Sequence, residues 1–167
     1  RGTELTSENT KIHSLLDPNS SEYRGNTKTD EIARSSFYFN SSGRPNYLSG
    51  YFTRSNGFPL VSYSENLLTL AESGLRSKNF YTGLSHLNEF RGYMAGGGYL
   101  NNGYDTLSLK YNPYLQTDFE IGGIENKDSE TKEEALLYEI LEERYITFYG
   151  QIEGFNDVRR TRKENNG

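Results

Sequence analysis

Seven charged side chains near the C-terminal end, Glu142, Glu143, Arg144, Glu153, Asp157, Arg159 and Arg160, lie close enough in sequence to do chemistry together. A pair of carboxylates is what glycoside cleavage requires, one as acid and the other as base or nucleophile. Glu142 and Glu143 sit in a segment of helical periodicity, however, and adjacent helical residues project about 100° apart, so they do not converge on one bond. The arginines suit a different task. Arg144, with Arg159 or Arg160, can donate charge-assisted hydrogen bonds to Glu143, Glu153 or Asp157 and fix how one helix docks on the next. Buried networks of this kind more often specify geometry than catalyse. We therefore expect a structural charge network at Glu143, Arg144, Glu153, Asp157, Arg159 and Arg160, and no catalytic residue.

A second group of side chains has binding chemistry. The segment 96–128 shows no helical or strand period and is dense in tyrosine and asparagine: Tyr99, Asn101, Asn102, Tyr104, Tyr111, Asn112 and Tyr114. Loops of about thirty residues without regular structure are uncommon inside compact domains and tend to be functional or disordered; the aromatic content here argues against disorder. A sugar ring offers apolar C–H faces and a hydroxyl rim, which flat phenol rings and amides can match. Tyr99, Asn101, Tyr104 and Tyr111 are the candidate ligand-binding residues, with Tyr47 and Tyr51 weaker candidates of the same kind. The competing reading is that these tyrosines simply pack the loop onto the helices, hydroxyls in water.

Metal chemistry has little support. His13 and His86 lie in unrelated contexts, and a lone histidine makes neither a metal site nor a triad. Asp17-Pro18-Asn19-Ser20-Ser21 is faintly like the start of a calcium loop but lacks its glycine and its terminal glutamate. No cofactor is implied. The absence of cysteine excludes disulfides and thiolate metal sites within these 167 residues. The net charge of −5 disfavours nucleic acid, since phosphate binding needs a dense basic surface. No stretch approaches the length of a membrane-spanning helix, and no signal peptide is seen at Arg1.

The elements that must position these groups follow from periodicity. Leu137, Ile140, Leu141, Arg144, Tyr145 and Phe148 recur on one helical face, with Lys132, Glu133, Glu139 and Glu142 pointing elsewhere. Thr131 with Glu134 is a capping box at its start, and Gly150 can take the left-handed conformation that ends a helix. A shorter helix follows from Glu153 to about Arg162. Upstream, Ser62 with Glu65 forms another capping box, and Leu67, Leu68, Ala71 and Leu75 are the buried stripe of a helix ending near Ser77. Asn79 can cap the next helix, lined by Phe80, Leu84, Leu87, Phe90 and Met94. So short a connection makes the two an antiparallel hairpin, with Ala71 and Gly83 as small contact positions of tetratricopeptide type. No second copy of that unit is visible, so the pair expects further partners. The first fifty residues show no sustained apolar period. Ile12, Leu15 and Leu16 cluster, Phe37-Tyr38-Phe39 reads as a short strand, and Tyr47 to Phe52 as a second extended piece.

The expected fold is mainly α: irregular structure and a few short strands over 1–58, a helical hairpin over 59–95, an aromatic loop over 96–128, and C-terminal helices over 129–167, all as a single piece. Only 33% of the residues are hydrophobic, which suggests a part of a larger protein rather than a whole one.

Two ordered blocks carry a resemblance. The first runs from Glu142-Glu143-Arg144 through Phe148-Tyr149-Gly150-Gln151 to Glu153-Gly154-Phe155-Asn156-Asp157-Val158-Arg159-Arg160. The second is Pro59-Leu60-Val61-Ser62-Tyr63-Ser64-Glu65, followed by Leu70-Ala71-Glu72 and then Leu87-Asn88 and Arg91; Gly43-Arg44-Pro45-Asn46-Tyr47 precedes it. Together they resemble the C-terminal signature of the SusD/RagB family, outer-membrane nutrient-binding lipoproteins of Bacteroidetes. Two blocks in order, about seventy residues apart, are far more specific than either alone. The resemblance implies a SusD-like fold with tetratricopeptide-type helices, of which this is the C-terminal portion, and a non-enzymatic role in carbohydrate binding and nutrient uptake. It implies capture of oligosaccharide, or peptide in RagB-type members, at the cell surface of the outer membrane. The partner would be a SusC-like TonB-dependent channel, and membrane attachment would be by a lipid anchor absent from this piece. Two alternatives from other classes remain: a helical-repeat protein-interaction module without small ligand, and a glycoside hydrolase, the latter disfavoured by the lack of convergent carboxylates.

Overall fold

Helix starts are written in the side chains that cap them. Thr131 Oγ1 accepts the Glu134 N–H at 3.3 Å while the Glu134 carboxylate accepts the Thr131 N–H at 3.1 Å, a reciprocal box opening the helix Lys132–Thr147. Ser62 Oγ accepts the Glu65 N–H at 3.0 Å and opens Tyr63–Arg76. Asn79 Oδ1 accepts the Thr82 N–H at 3.0 Å at the start of Phe80–Ala95. In the computed structural model, which describes residues 10–57, 59–100, 103–104 and 107–161, the helices in chain order are α1 (Lys11–Leu16), α2 (Ile32–Tyr38), α3 (Tyr63–Arg76), α4 (Phe80–Ala95), α5 (Lys132–Thr147) and α6 (Ile152–Thr161).

The fold is mainly α. Among the described residues the extended backbone pairs only as isolated bridges, Asn26 with Thr29, Thr29 with Tyr111 and Phe39 with Pro45, so the expected short strands are absent. Phe37-Tyr38-Phe39 illustrates why. Aromatic clustering favours a strand, but Ala33, Arg34, Phe37 and Tyr38 are buried at helical spacing on α2, where Glu31 and Arg34 also pair three residues apart. Tertiary burial overrides local preference.

The chain divides into two compact units, Arg1–Gly57 with Arg91–Pro113, and Phe58–Phe90 with Tyr114–Gly167. The first is built on α1 against α2, with Ile12, Leu15, Leu16, Ala33, Phe37, Tyr38 and Phe39 in its core. Arg91, in the last turns of α4, donates to the carbonyls of Asn112 and Lys28 at 2.8 and 2.9 Å and to Thr29 Oγ1 at 2.9 Å, tying the two edges of this unit together.

The second unit packs α3 and α6 on α5. Leu67, Leu68, Ala71 and Leu75 are buried on α3 as expected, as are Phe80, Leu84, Leu87 and Phe90 on α4. The buried face of α5 keeps Ile140, Arg144 and, at the helix end, Phe148 from the expected one, but it also runs through Ala135, Leu136, Glu139, Glu143, Ile146 and Thr147, so Glu139 points inward. Charged residues on the inner face blur the apolar stripe from which the face was read. Gly150, at φ 76°, follows the helix in the left-handed conformation. The segment before α5 has little regular structure beyond one turn of 3-10 helix at Gln116–Asp118. Asn88 holds its start in place, accepting the Tyr114 N–H at 2.7 Å and donating to the Tyr114 carbonyl at 2.9 Å.

Where α3 meets α4 the backbones nearly touch. A Cβ at Gly83 would lie 2.8 Å from Leu75 Cβ and 3.1 Å from the Ala71 carbonyl oxygen. The change Gly83→Ala is therefore expected to lower stability by about 1 to 2 kcal/mol, as overpacking outweighs the gain in helix propensity. A urea midpoint that stays put or rises would show that the two helices can separate without cost.

Candidate functional site

In the first unit one asparagine organises a surface. The Asn46 amide donates to the Ser36 carbonyl at 2.9 Å and to the Tyr104 hydroxyl at 2.7 Å. Its Oδ1 accepts the N–H groups of Leu48 and Ser49 at 3.3 and 3.2 Å, and its own N–H bonds to the Tyr38 carbonyl at 2.9 Å. Helix α2, the loop after Pro45 and the aromatic segment 96–113 are thus joined at one side chain. Ser49 Oγ lies 2.9 Å from the same Tyr104 hydroxyl. Gly50 allows the close approach, since a Cβ there would fall 2.0 Å from the Phe37 carbonyl oxygen. Asn56 closes the loop, donating to the Gly50 and Tyr51 carbonyls at 3.0 and 2.8 Å.

Beside this junction lies a groove of about 520 Å³. Among the described residues its polar lining is uncharged, made of the hydroxyls of Ser35, Ser36, Ser41, Ser49 and Tyr104 and the amides of Asn40 and Asn46, with Phe39 and Leu48 as apolar surface. Hydroxyls and amides both donate and accept, which suits a neutral polyhydroxylated ligand. Among the described residues the lining offers no acid or base for hydrolysis.

The candidate tyrosines separate. Tyr99 and Tyr104 both pack on Phe37, with ring centroids 6.1 and 5.4 Å away. The Tyr99 hydroxyl accepts a 3.3 Å hydrogen bond from that of Tyr38. Tyr104 is buried but presents its hydroxyl to the groove. Tyr111 is apart from them, buried, donating to Glu31 at 3.1 Å with the Arg34 guanidinium 5.2 Å above its ring. Asn101 lies outside the described residues. Tyr51 stands edge-on to Phe37 and Phe52, and Tyr47 is exposed. Asn46 is not among the residues that the sequence marks as candidates; the available signal is its place in Gly43-Arg44-Pro45-Asn46-Tyr47, beside the resembling blocks.

The second unit holds the charged constellation. Arg144 donates to both oxygens of Asp157, at 2.8 Å from Nε and 3.0 Å from Nη2, and to Thr69 Oγ1 at 3.1 Å. Arg160 donates from Nε to Asp157 at 2.9 Å and from both terminal nitrogens to the Glu72 carboxylate. Glu72 also accepts from Arg76 at 2.7 Å and lies 3.6 Å from Arg144. Of the expected members, Arg144, Asp157 and Arg160 come together. Glu143 is buried and accepts the Thr147 hydroxyl at 3.2 Å, Arg159 stands over Phe155 at 5.8 Å, and Glu153 Oε2 is buried without a hydrogen-bond partner among the described residues. The centre of the cluster, Glu72, was not expected there; its place in the Ala71-Glu72 pair was the available signal. Burial alone would raise the Glu72 carboxyl, but the hydrogen bonds from Arg160 and Arg76 outweigh it and hold the group below its ordinary value of 4.5.

A third cluster, also missed, lies in the first unit. Glu31 accepts from Arg24 at 2.6 Å and from Arg34 at 2.6 and 2.7 Å. Among the described residues no group of three metal-binding side chains occurs, and no helix is long and apolar enough to cross a membrane.

Comparison with protein-family models, with curated proteins and with solved structures found no match to this chain.

Proposed function

We propose that this chain is part of a SusD/RagB-like, non-catalytic protein that holds oligosaccharide at the cell surface for a SusC-like TonB-dependent channel. The observation that carries the reading is the meeting of the two resembling blocks: Glu72 of the second lies against Arg144 and Arg160 of the first, with Asp157 between the arginines. Residues that a scaffold would retain are here holding helices together, and the charged groups are saturated with one another rather than aimed at a substrate. The uncharged groove at Asn46 and Tyr104 gives the reading a place for a sugar, with a hydrogen-bonding rim and apolar surface side by side.

Isothermal titration of the chain with a panel of neutral oligosaccharides and with peptide mixtures tests this. Saturable glycan binding is expected, weakened about fivefold in Tyr104→Phe, which keeps the ring and removes one hydroxyl contact. Peptide binding alone would move the protein to the RagB-type role. Silence across the panel would favour an interaction module, and glycan hydrolysis would make it an enzyme.

A further inference from the structure

The loop that closes the groove carries a second pocket of about 590 Å³, lined by Tyr47, Leu48, Phe52, Thr53, Arg54 and Ser55. The two pockets share Leu48, which is 93% exposed. Their chemistry differs. The second has two aromatic rings, Tyr47 and Phe52, with centroids 6.1 Å apart, and Tyr47 keeps 66% of its surface open. Phe52 is braced behind by Tyr51, edge-on at 5.1 Å, and Tyr51 in turn by Phe37 at 5.9 Å. With Asn46 and Asn56 fixing the loop backbone, the platform exists before any ligand arrives, so little ordering opposes binding.

Arg54 gives this platform a charge. It is exposed, and it makes no ion pair with any described residue. The surrounding sequence reinforces it: from Ile32 to Ser64 the chain has no Asp or Glu but carries Arg34, Arg44 and Arg54, in a protein whose net charge is −5. Arg34 is already bound to Glu31, which leaves Arg44 and Arg54 as the exposed charges of this stretch. A guanidinium beside an aromatic face, with the hydroxyls of Thr53 and Ser55 nearby, matches a sugar that bears an oxyanion. Two isolated arginines are too sparse to follow a nucleic-acid backbone.

We propose that this pocket takes an acidic sugar residue, its ring on Tyr47 and Phe52 and its oxyanion on Arg54, so that the captured glycan is anionic. The assignment rests on the glycan-binding reading above and adds the class of glycan. A uronic carboxylate and a sulfate ester share the required chemistry.

Titration of the 167-residue chain with oligogalacturonides and with their methyl esters tests the carboxylate. Sulfated galactan oligosaccharides and their desulfated forms test the sulfate. At least one charged form is expected to bind about tenfold more tightly than its neutral counterpart at low salt, the gap narrowing as salt is added. Arg54→Gln, a change on the surface, should erase the gap by weakening the charged form. Equal affinity for charged and neutral forms would overturn the assignment while leaving glycan capture intact, as would a charge preference that survives Arg54→Gln. Absence of binding by every saccharide would overturn both readings.

Discussion

Replacing Glu31 with Gln is expected to cost about 3 to 5 kcal/mol of stability, because it leaves two buried guanidinium groups without their counter-charge. Glu31 and Arg34 are both 0% exposed and Arg24 is 6% exposed. One carboxylate takes three arginine hydrogen bonds and the Tyr111 hydroxyl, and the Glu31 N–H in turn donates to Tyr23 at 3.1 Å. The amide of Gln could accept at one oxygen only, and its nitrogen would face donors. The measurement is the urea midpoint, read together with hydrogen exchange at the α2 amides. A companion variant separates charge from packing: changing Arg24, Glu31 and Arg34 together to Met and Leu should cost far less than Glu31→Gln alone, since an apolar replacement leaves no buried charge of the three uncompensated and only the neutral Tyr111 hydroxyl loses its acceptor. If the single and triple changes cost the same, packing rather than charge holds this unit.

That cluster also shows what could be read from the chain and what could not. Helix starts were legible because a cap is local: Thr131 with Glu134 and Asn79 before Phe80 declare themselves within four residues. The Ser62 start was legible too, although only the Ser62 half of the expected reciprocal pair forms. The stripes of α3 and α4 were legible because their inner faces are apolar. The inner face of α5 was not, since Glu139, Glu143 and Arg144 are buried on it, and periodicity counts charge as outside. For the same reason α2 went unseen: Arg34 sits on its buried face beside Phe37 and Tyr38, so an aromatic run looked like a strand.

Ion pairs of long sequence separation were hidden in a different way. Arg144 and Asp157 lie near each other in the chain, and their union could be anticipated. Glu72 comes from another helix, and nothing in its neighbours says which arginines it will meet. The groove shares that obscurity. The serines and asparagines between Ser35 and Ser49 show no period that would group them, and only the folded loop turns them to one surface. The tyrosines of 96–113 stood out by density, yet Tyr104 reaches the groove while Tyr111 is sealed beneath an arginine.

The second large effect is expected at Arg144. Changing it to Met should cost about 3 kcal/mol, less than at Glu31 because Arg160 and Arg76 stay with the two carboxylates. Arg144 is the fork that fastens α6 to α5, and it reaches α3 at Thr69 while stacking on Phe148 at 5.1 Å. Met would keep much of that stacking and lose the hydrogen bonds. Arg144→Lys restores the charge without the planar pair of donors, so it should recover only part of the loss; full recovery would show that charge alone suffices. Acid should weaken the same joint. Glu72 holds its proton less tightly in the folded chain than in the unfolded one, so its contribution is complete above its ordinary value of 4.5 and fades as the pH falls below that, through the folded value. Thermal midpoints of the parent chain should fall as the pH drops through that window. In Glu72→Gln the midpoint should start lower at neutral pH and lose this part of the acid dependence, and an unchanged acid slope in that variant would assign the dependence to other carboxylates.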